Sequence, residues 1–133
     1  MATQVDITFR EQDIFEVKVP ATGVTLAIDK STEGHQSGGA NPLELFLASL
    51  AGCIGVYAKR YLTMHSIAFT DLRISAAADM AQDSPARLVN IKVVVSTDGR
   101  IDNRDVFMRF IHNCPVHNTL LHTKDVEISF TQK

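Results

Sequence analysis

Between Leu43 and Tyr61 the apolar residues Leu43, Phe46, Leu47, Leu50, Ile54, Val56, Tyr57 and Tyr61 fall on nearly every side of a helical wheel. A helix that is apolar almost all round has to be enclosed, and a chain of 133 residues has few ways to do this alone. The expectation is therefore a curved sheet against one face and a second subunit against the other. The start of the helix is marked locally. Asn41 is a good N-cap, Pro42 suits the first helical position, and Glu44 stands where a capping box needs its carboxylate. The helix is expected to run to about Tyr61 or Thr63.

Elsewhere the apolar period is two. Val5, Ile7 and Phe9 alternate with polar residues, as do Phe15, Val17 and Val19, which predicts an opening hairpin turning at Arg10–Asp13. A short strand at Thr25–Asp29 follows Gly23, and Lys30–Asn41, with Gly34, Gly38 and Gly39, reads as a flexible connection. Beyond the helix, Leu72 to Ala78 and Val89 to Val95 alternate as two long antiparallel strands joined through Ala81–Ala86. Asn103–His112 and Pro115–His122 then read as short helices, and Val126–Thr131 as a last strand. Strands grouped apart from helices give an α+β fold, and no linker or repeat divides residues 1–133, so one domain is expected.

Composition narrows the function classes. A net charge of −2 and no basic run longer than Lys59-Arg60 leave no footprint for nucleic acid. The uncharged stretch Leu45–Ala58 is shorter than a membrane span, so no membrane partner is expected. MATQVDITFR lacks the pattern of an export signal, which gives a cytoplasmic expectation in which both cysteines are reduced.

Those cysteines carry the chemistry. Alone, Cys53 in an apolar helix reads as a small hydrophobe. Cys114 precedes Pro115 at a helix start, where backbone N–H groups favour a thiolate, although the same position fits a weak cap. Cys114 and His117 form a C-x-x-H pair with His112 and His122 near in sequence, but one further cysteine is too few for a recognisable zinc site, so no metal is expected. His35 and His65 read as loop or surface residues.

The segment Gly39-Ala40-Asn41-Pro42-Leu43-Glu44-Leu45-Phe46-Leu47-Ala48-Ser49-Leu50-Ala51-Gly52-Cys53, followed some sixty residues later by Cys114-Pro115-Val116-His117, resembles the OsmC/Ohr family of osmotically inducible and organic hydroperoxide resistance proteins. The resemblance implies an intertwined α+β homodimer, with antiparallel sheets around a long buried central helix and two active sites at the subunit interface. It also implies a thiol peroxidase without a cofactor. The cysteine matching Cys53 attacks the hydroperoxide, the one matching Cys114 resolves it, and an external dithiol of the dihydrolipoyl type reduces the disulfide.

A peroxidatic thiolate in mid-helix depends on a cation. Arg10 falls close to the position of the family's activating arginine, and its plain reading is an exposed hairpin residue. Arg60 lies seven residues past Cys53, within about 20° on the wheel, and reads more simply as a helix-end charge. The family's hydroperoxidases orient their arginine with a glutamate ten residues before the reactive cysteine, where this chain has Leu43. Glu44 is about 180° from Cys53 on the wheel, so the capping box is its better role. Phe46, Leu50 and Phe110 are expected to line an alkyl pocket, and His117 to support Cys114 from the first turn of its helix. The competing class is a non-enzymatic redox sensor or small-ligand binding protein, favoured by the missing glutamate.

Overall fold

The computed structural model describes residues 2–30 and 38–133. Most of the connection expected between Lys30 and Asn41, including Gly34 and His35, lies outside the described residues. The chain divides within its long helix into two compact units, residues 1–46 and 47–133.

In the first unit β1 (Asp6–Glu11), β2 (Ile14–Lys18) and β3 (Thr25–Ile28) form an antiparallel sheet in that order. The register pairs Ile7 with Val17, Phe9 with Phe15, and Val17 with Leu26. Because paired residues share a face, one side of the sheet is apolar and the other carries Thr8, Glu16 and Lys18. Phe9 and Phe15 meet edge to face at 5.5 Å, yet Phe9 remains 57% exposed.

The expected turn at Arg10–Asp13 is tighter in the structure. Gln12 adopts φ +49° in a two-residue turn with Asp13, so Arg10 and Glu11 stay in β1. The ladder steps from Phe9 to Glu11, leaving Arg10 as the extra residue of a bulge. Past β3, Asp29 donates its backbone N–H to the Ala40 carbonyl, and the buried Asp29 carboxylate accepts from the Gly38 N–H. A Cβ on Gly39 would lie 2.2 Å from the Ala27 carbonyl oxygen, so this approach of backbone to backbone requires glycine.

Helix α1 spans Pro42–Met64. Its capping box is formed: Asn41 Oδ1 accepts from the Glu44 N–H at 2.8 Å and Glu44 Oε1 from the Asn41 N–H at 2.9 Å. At the other end Ser66, with φ +54°, closes the helix. Its N–H reaches the Thr63 carbonyl, and the Ile67 N–H reaches that of Leu62. At 23 residues, with a mean hydropathy of 1.3 over its most apolar 18-residue window, α1 is long and apolar enough to cross a membrane, because it extends beyond the uncharged stretch read from sequence.

In the second unit α1 packs on β4 (Leu72–Met80), β5 (Leu88–Thr97) and α2 (Arg104–Ile111), with α3 (Pro115–His122) following. Ala58 and Tyr61 meet Phe107 and Ile111 of α2, flanked by Leu72 and Val95 from the two strands. Tyr61 stacks on His65 at 4.0 Å and meets Phe107 and Phe110 edge-on, pairs that each contribute about 0.5–1.5 kcal/mol beyond buried area. A Cβ on Gly55 would lie 2.9 Å from Ile74 Cδ1, so the glycine sets how closely α1 lies on β4. Burial on α1 follows one stripe, Leu50, Ala58, Tyr61 and Leu62, whereas Val56 and Met64 stay exposed. Among the described residues, the enclosure expected from the wheel is thus completed on one side only.

The expected strand Val126–Thr131 is absent. Residues 123–133 carry no regular structure, and Val126, Ile128 and Phe130 are 80%, 90% and 82% exposed. Alternation alone makes no strand, because a strand needs a neighbour to take its backbone hydrogen bonds.

Asp98 ties the end of β5 to the start of β4. Its carboxylate accepts from the Thr70 hydroxyl and from the Thr70 and Asp71 N–H groups, the hydroxyl being the largest influence, and its pKa falls from 3.8 to about 2. A carboxyl whose pKa is lower when folded stabilises the fold above its unfolded pKa and loses that contribution as pH falls. Urea midpoints measured from pH 5 to pH 2 should therefore decline for the wild type between about pH 4 and pH 2 more steeply than for Asp98→Asn, which should be the less stable protein at pH 7. Parallel curves would contradict this role.

Candidate functional site

The second unit brings the two cysteines together. Cys53 lies half-buried in mid-α1, and Cys114 is fully buried at the N-cap of α3, with Pro115 opening the helix. Both are free thiols, and Cys53 is near enough to Cys114 to act on its protonation. The Cys114 sulfur also accepts the His117 backbone N–H at 3.4 Å, the bond expected of a cap.

The protonation of Cys114 differs from the sequence expectation. Burial pushes its thiol pKa up, and the neighbouring Cys53 adds to the rise. The N–H groups of His117 and Val116 act in the opposite direction without prevailing. A helix N-terminus favours a thiolate, but removing the sulfur from water disfavours it more here. Cys114 is accordingly a protonated thiol at neutral pH.

An apolar cleft of about 400 Å³ opens among α1, β5, α2 and α3, lined by residues close in sequence to both cysteines. Leu50 and Ile54, on either side of Cys53 in sequence, form one wall, and Ile91, Val93 and Val95 project from β5 to form another. Met108 and Ile111 of α2 and Leu120 and Leu121 of α3 complete the apolar lining. Its titratable side chains are His112 and His117, whose rings meet edge to face at 5.3 Å. The His112 Nδ1 bonds the Met108 carbonyl; since a carbonyl only accepts, that nitrogen carries the proton.

The other expected site residues are distributed differently. Leu50 lines the cleft, but Phe110 packs against Tyr57 and Tyr61, at 5.9 and 5.6 Å between ring centres, and belongs to the aromatic core because α2 turns it toward α1. Phe46 is half-buried in the first unit. Arg60 is exposed, with its guanidinium 4.7 Å over the Tyr57 ring. Glu44 closes the capping box. Arg10, also in the first unit, holds Glu16 through a 2.7 Å ion pair across the bulged hairpin. Sequence reasoning missed Glu16, Ile54, Met108 and the cleft face of β5. The signal for the last was the Ile91, Val93, Val95 alternation. Among the described residues, no three metal-ligating side chains gather at one point.

A family model described as OsmC-like protein matches residues 34–129. No curated protein matches. Among solved structures, the OsmC-like protein of Mycoplasma pneumoniae superposes with TM-score 0.76 at 17% identity, over 92% of this chain and 89% of that one. OhrB of Bacillus subtilis, an organic hydroperoxide resistance protein, gives 0.64 at 21% identity over 90% and 92%. The organic hydroperoxide resistance protein OsmC of Legionella pneumophila gives 0.59 at 18% over 92% and 90%. These superpositions establish a shared fold.

The unequal exposure of the two thiols has a direct chemical consequence. Under native conditions at pH 7, iodoacetamide should modify Cys53 well before Cys114, and Cys114 should react readily only after unfolding or at alkaline pH. Peptide mapping that found equal labelling of both cysteines at pH 7 would contradict the burial described here.

Proposed function

Since the chain is a member of the OsmC-like family, we propose that it is a cysteine-based peroxidase that reduces organic hydroperoxides to alcohols. The observation that carries this reading is the pair of neighbouring free thiols, one half-buried and one fully buried, on two elements that also line an apolar cleft. The Cys53 thiolate attacks the distal oxygen of the hydroperoxide, the O–O bond breaks, and the alkoxide leaves as the alcohol after taking a proton. Cys53 becomes a sulfenic acid. Cys114 then attacks that sulfur, the hydroxyl leaves as water, and a Cys53–Cys114 disulfide results. A dithiol, of the dihydrolipoyl type in the family's peroxidases, returns both thiols to the reduced state. The cleft accepts the alkyl part of the substrate, with Leu50 and Ile54 as its wall nearest Cys53 in sequence.

Arg10 is the proposed activating cation, and the carboxylate that holds it is Glu16, in a chain where Leu43 stands at the family's glutamate position. Leu43 is also the observation favouring the second reading, a non-enzymatic redox sensor on the same scaffold.

The working form is proposed to be a homodimer. The apolar face of the β1–β2–β3 sheet, the uncovered side of α1 and the alternating tail Val126, Ile128, Phe130 each leave large apolar side chains in water, which a second copy would cover.

Rapid mixing with cumene hydroperoxide, followed by dithiol-supported turnover, tests the enzyme reading. Wild type should turn over repeatedly. Cys53→Ser should consume no peroxide, and Cys114→Ser should complete one turnover. Arg10→Ala should slow the first turnover by roughly 10- to 100-fold, the loss expected for one charge-assisted hydrogen bond, and Arg60→Ala should have little effect. Stoichiometric oxidation without turnover would favour the sensor. Sedimentation equilibrium should give a dimer at micromolar concentration, and Phe9→Asp should weaken it; a stable wild-type monomer would refute the dimer.

A further inference from the structure

Resolution of a Cys53 sulfenic acid, as proposed above, requires Cys114 to lose a proton in a place where water does not reach its sulfur. The cleft lined by His117, a first-turn residue of the helix that Cys114 caps, offers the candidate groups. Among the described residues, the walls that α1 and β5 present to the cleft are aliphatic, and the titratable side chains lining it are His112, the C-cap of α2, and His117 from α3. His112 is anchored, with its Nδ1–H on the Met108 carbonyl, and its ring lies edge-on to that of His117 at 5.3 Å. The His117 ring has no hydrogen-bond partner among the described residues, so a ring nitrogen is free to accept a proton. Its own backbone N–H is bonded to the Cys114 sulfur, which fixes His117 in the turn that carries the thiol.

We propose that His117 is the base that takes the Cys114 proton when Cys114 attacks Cys53, and that His112 is a positioning residue that holds the His117 ring through their edge contact. Imidazole suits the task because one ring nitrogen can accept a proton and later return it. The proton leaves Cys114 for the imidazole as the new S–S bond forms. When the leaving group is the sulfenic hydroxyl, the imidazolium returns the proton and water departs, so His117 ends the step neutral.

The inference rests on Cys114 as the resolving thiol, and it can be tested without peroxide. One equivalent of 4,4′-dithiodipyridine added to the reduced protein should release one thiopyridone as Cys53 forms a mixed disulfide, then a second as Cys114 displaces the remaining pyridyl thiolate. In His117→Phe, which keeps an aromatic ring against His112, the second release should slow at least tenfold at pH 7 with the first release within twofold of wild type. Added imidazole, or a rise to pH 9, should restore it. His117→Gln should behave in the same way and serves as the variant if the Phe form folds poorly. A second release with the wild-type rate and pH profile in both variants would overturn the proposal. So would an equal slowing of both releases, which would mark His117 as a packing residue. A wild-type protein that ignores hydroperoxide but shows the His117-dependent second release would sink the peroxidase reading and support this one.

Discussion

Burial of one stripe of α1 governs the arrangement of the second unit. Leu50, Ala58, Tyr61 and Leu62 pack against α2 and the β4–β5 sheet, and this seating fixes which way Cys53 faces. It also explains why the cleft exists. Leu50 and Ile54 stand against β5 and the two short helices, and the aliphatic side chains between them leave a hollow rather than a filled core. Gly55 permits the close approach to β4 on which this packing depends.

Desolvation then sets the protonation of Cys114. A cysteine at a helix N-terminus ordinarily gains thiolate character. Cys114 occupies that position and receives an N–H bond, yet its burial and the adjacent Cys53 hold it protonated. In the sequence the cap position favours a thiolate at Cys114, whereas the family resemblance gives the attacking role to Cys53; the raised Cys114 thiol supports the second, proposed assignment. A buried, protonated Cys114 fits the resolving role proposed for it, a role that requires a base such as the one proposed in His117.

Features set by neighbours in sequence were legible. Asn41, Pro42 and Glu44 announced the start of α1, Cys114 and Pro115 that of α3, and the alternations gave β4 and β5 within a residue or two. Features set by partners distant in sequence were not. Arg10 looked like a turn residue because nothing local revealed the bulge that keeps it in β1, with its side chain in reach of Glu16. Phe110 looked like a pocket residue because its apolarity suits either face of α2, and only packing turned it toward Tyr57 and Tyr61. Val126–Thr131 had the period of a strand, but no sheet edge within the described chain receives it. The likeness of Cys53 and Cys114 to an attacking and resolving pair came from the family motifs; no spacing rule predicts that two cysteines sixty-one residues apart will be neighbours.

The central claim is that Cys53 and Cys114 act as one redox unit, and the most direct measurement is disulfide mapping by mass spectrometry of the native, reduced protein after a single equivalent of organic hydroperoxide. The account predicts loss of both free thiols and one intramolecular linkage between the peptides containing Cys53 and Cys114. Two free thiols after that treatment, or a Cys53 oxidised to sulfinic acid while Cys114 remains reduced, would contradict it.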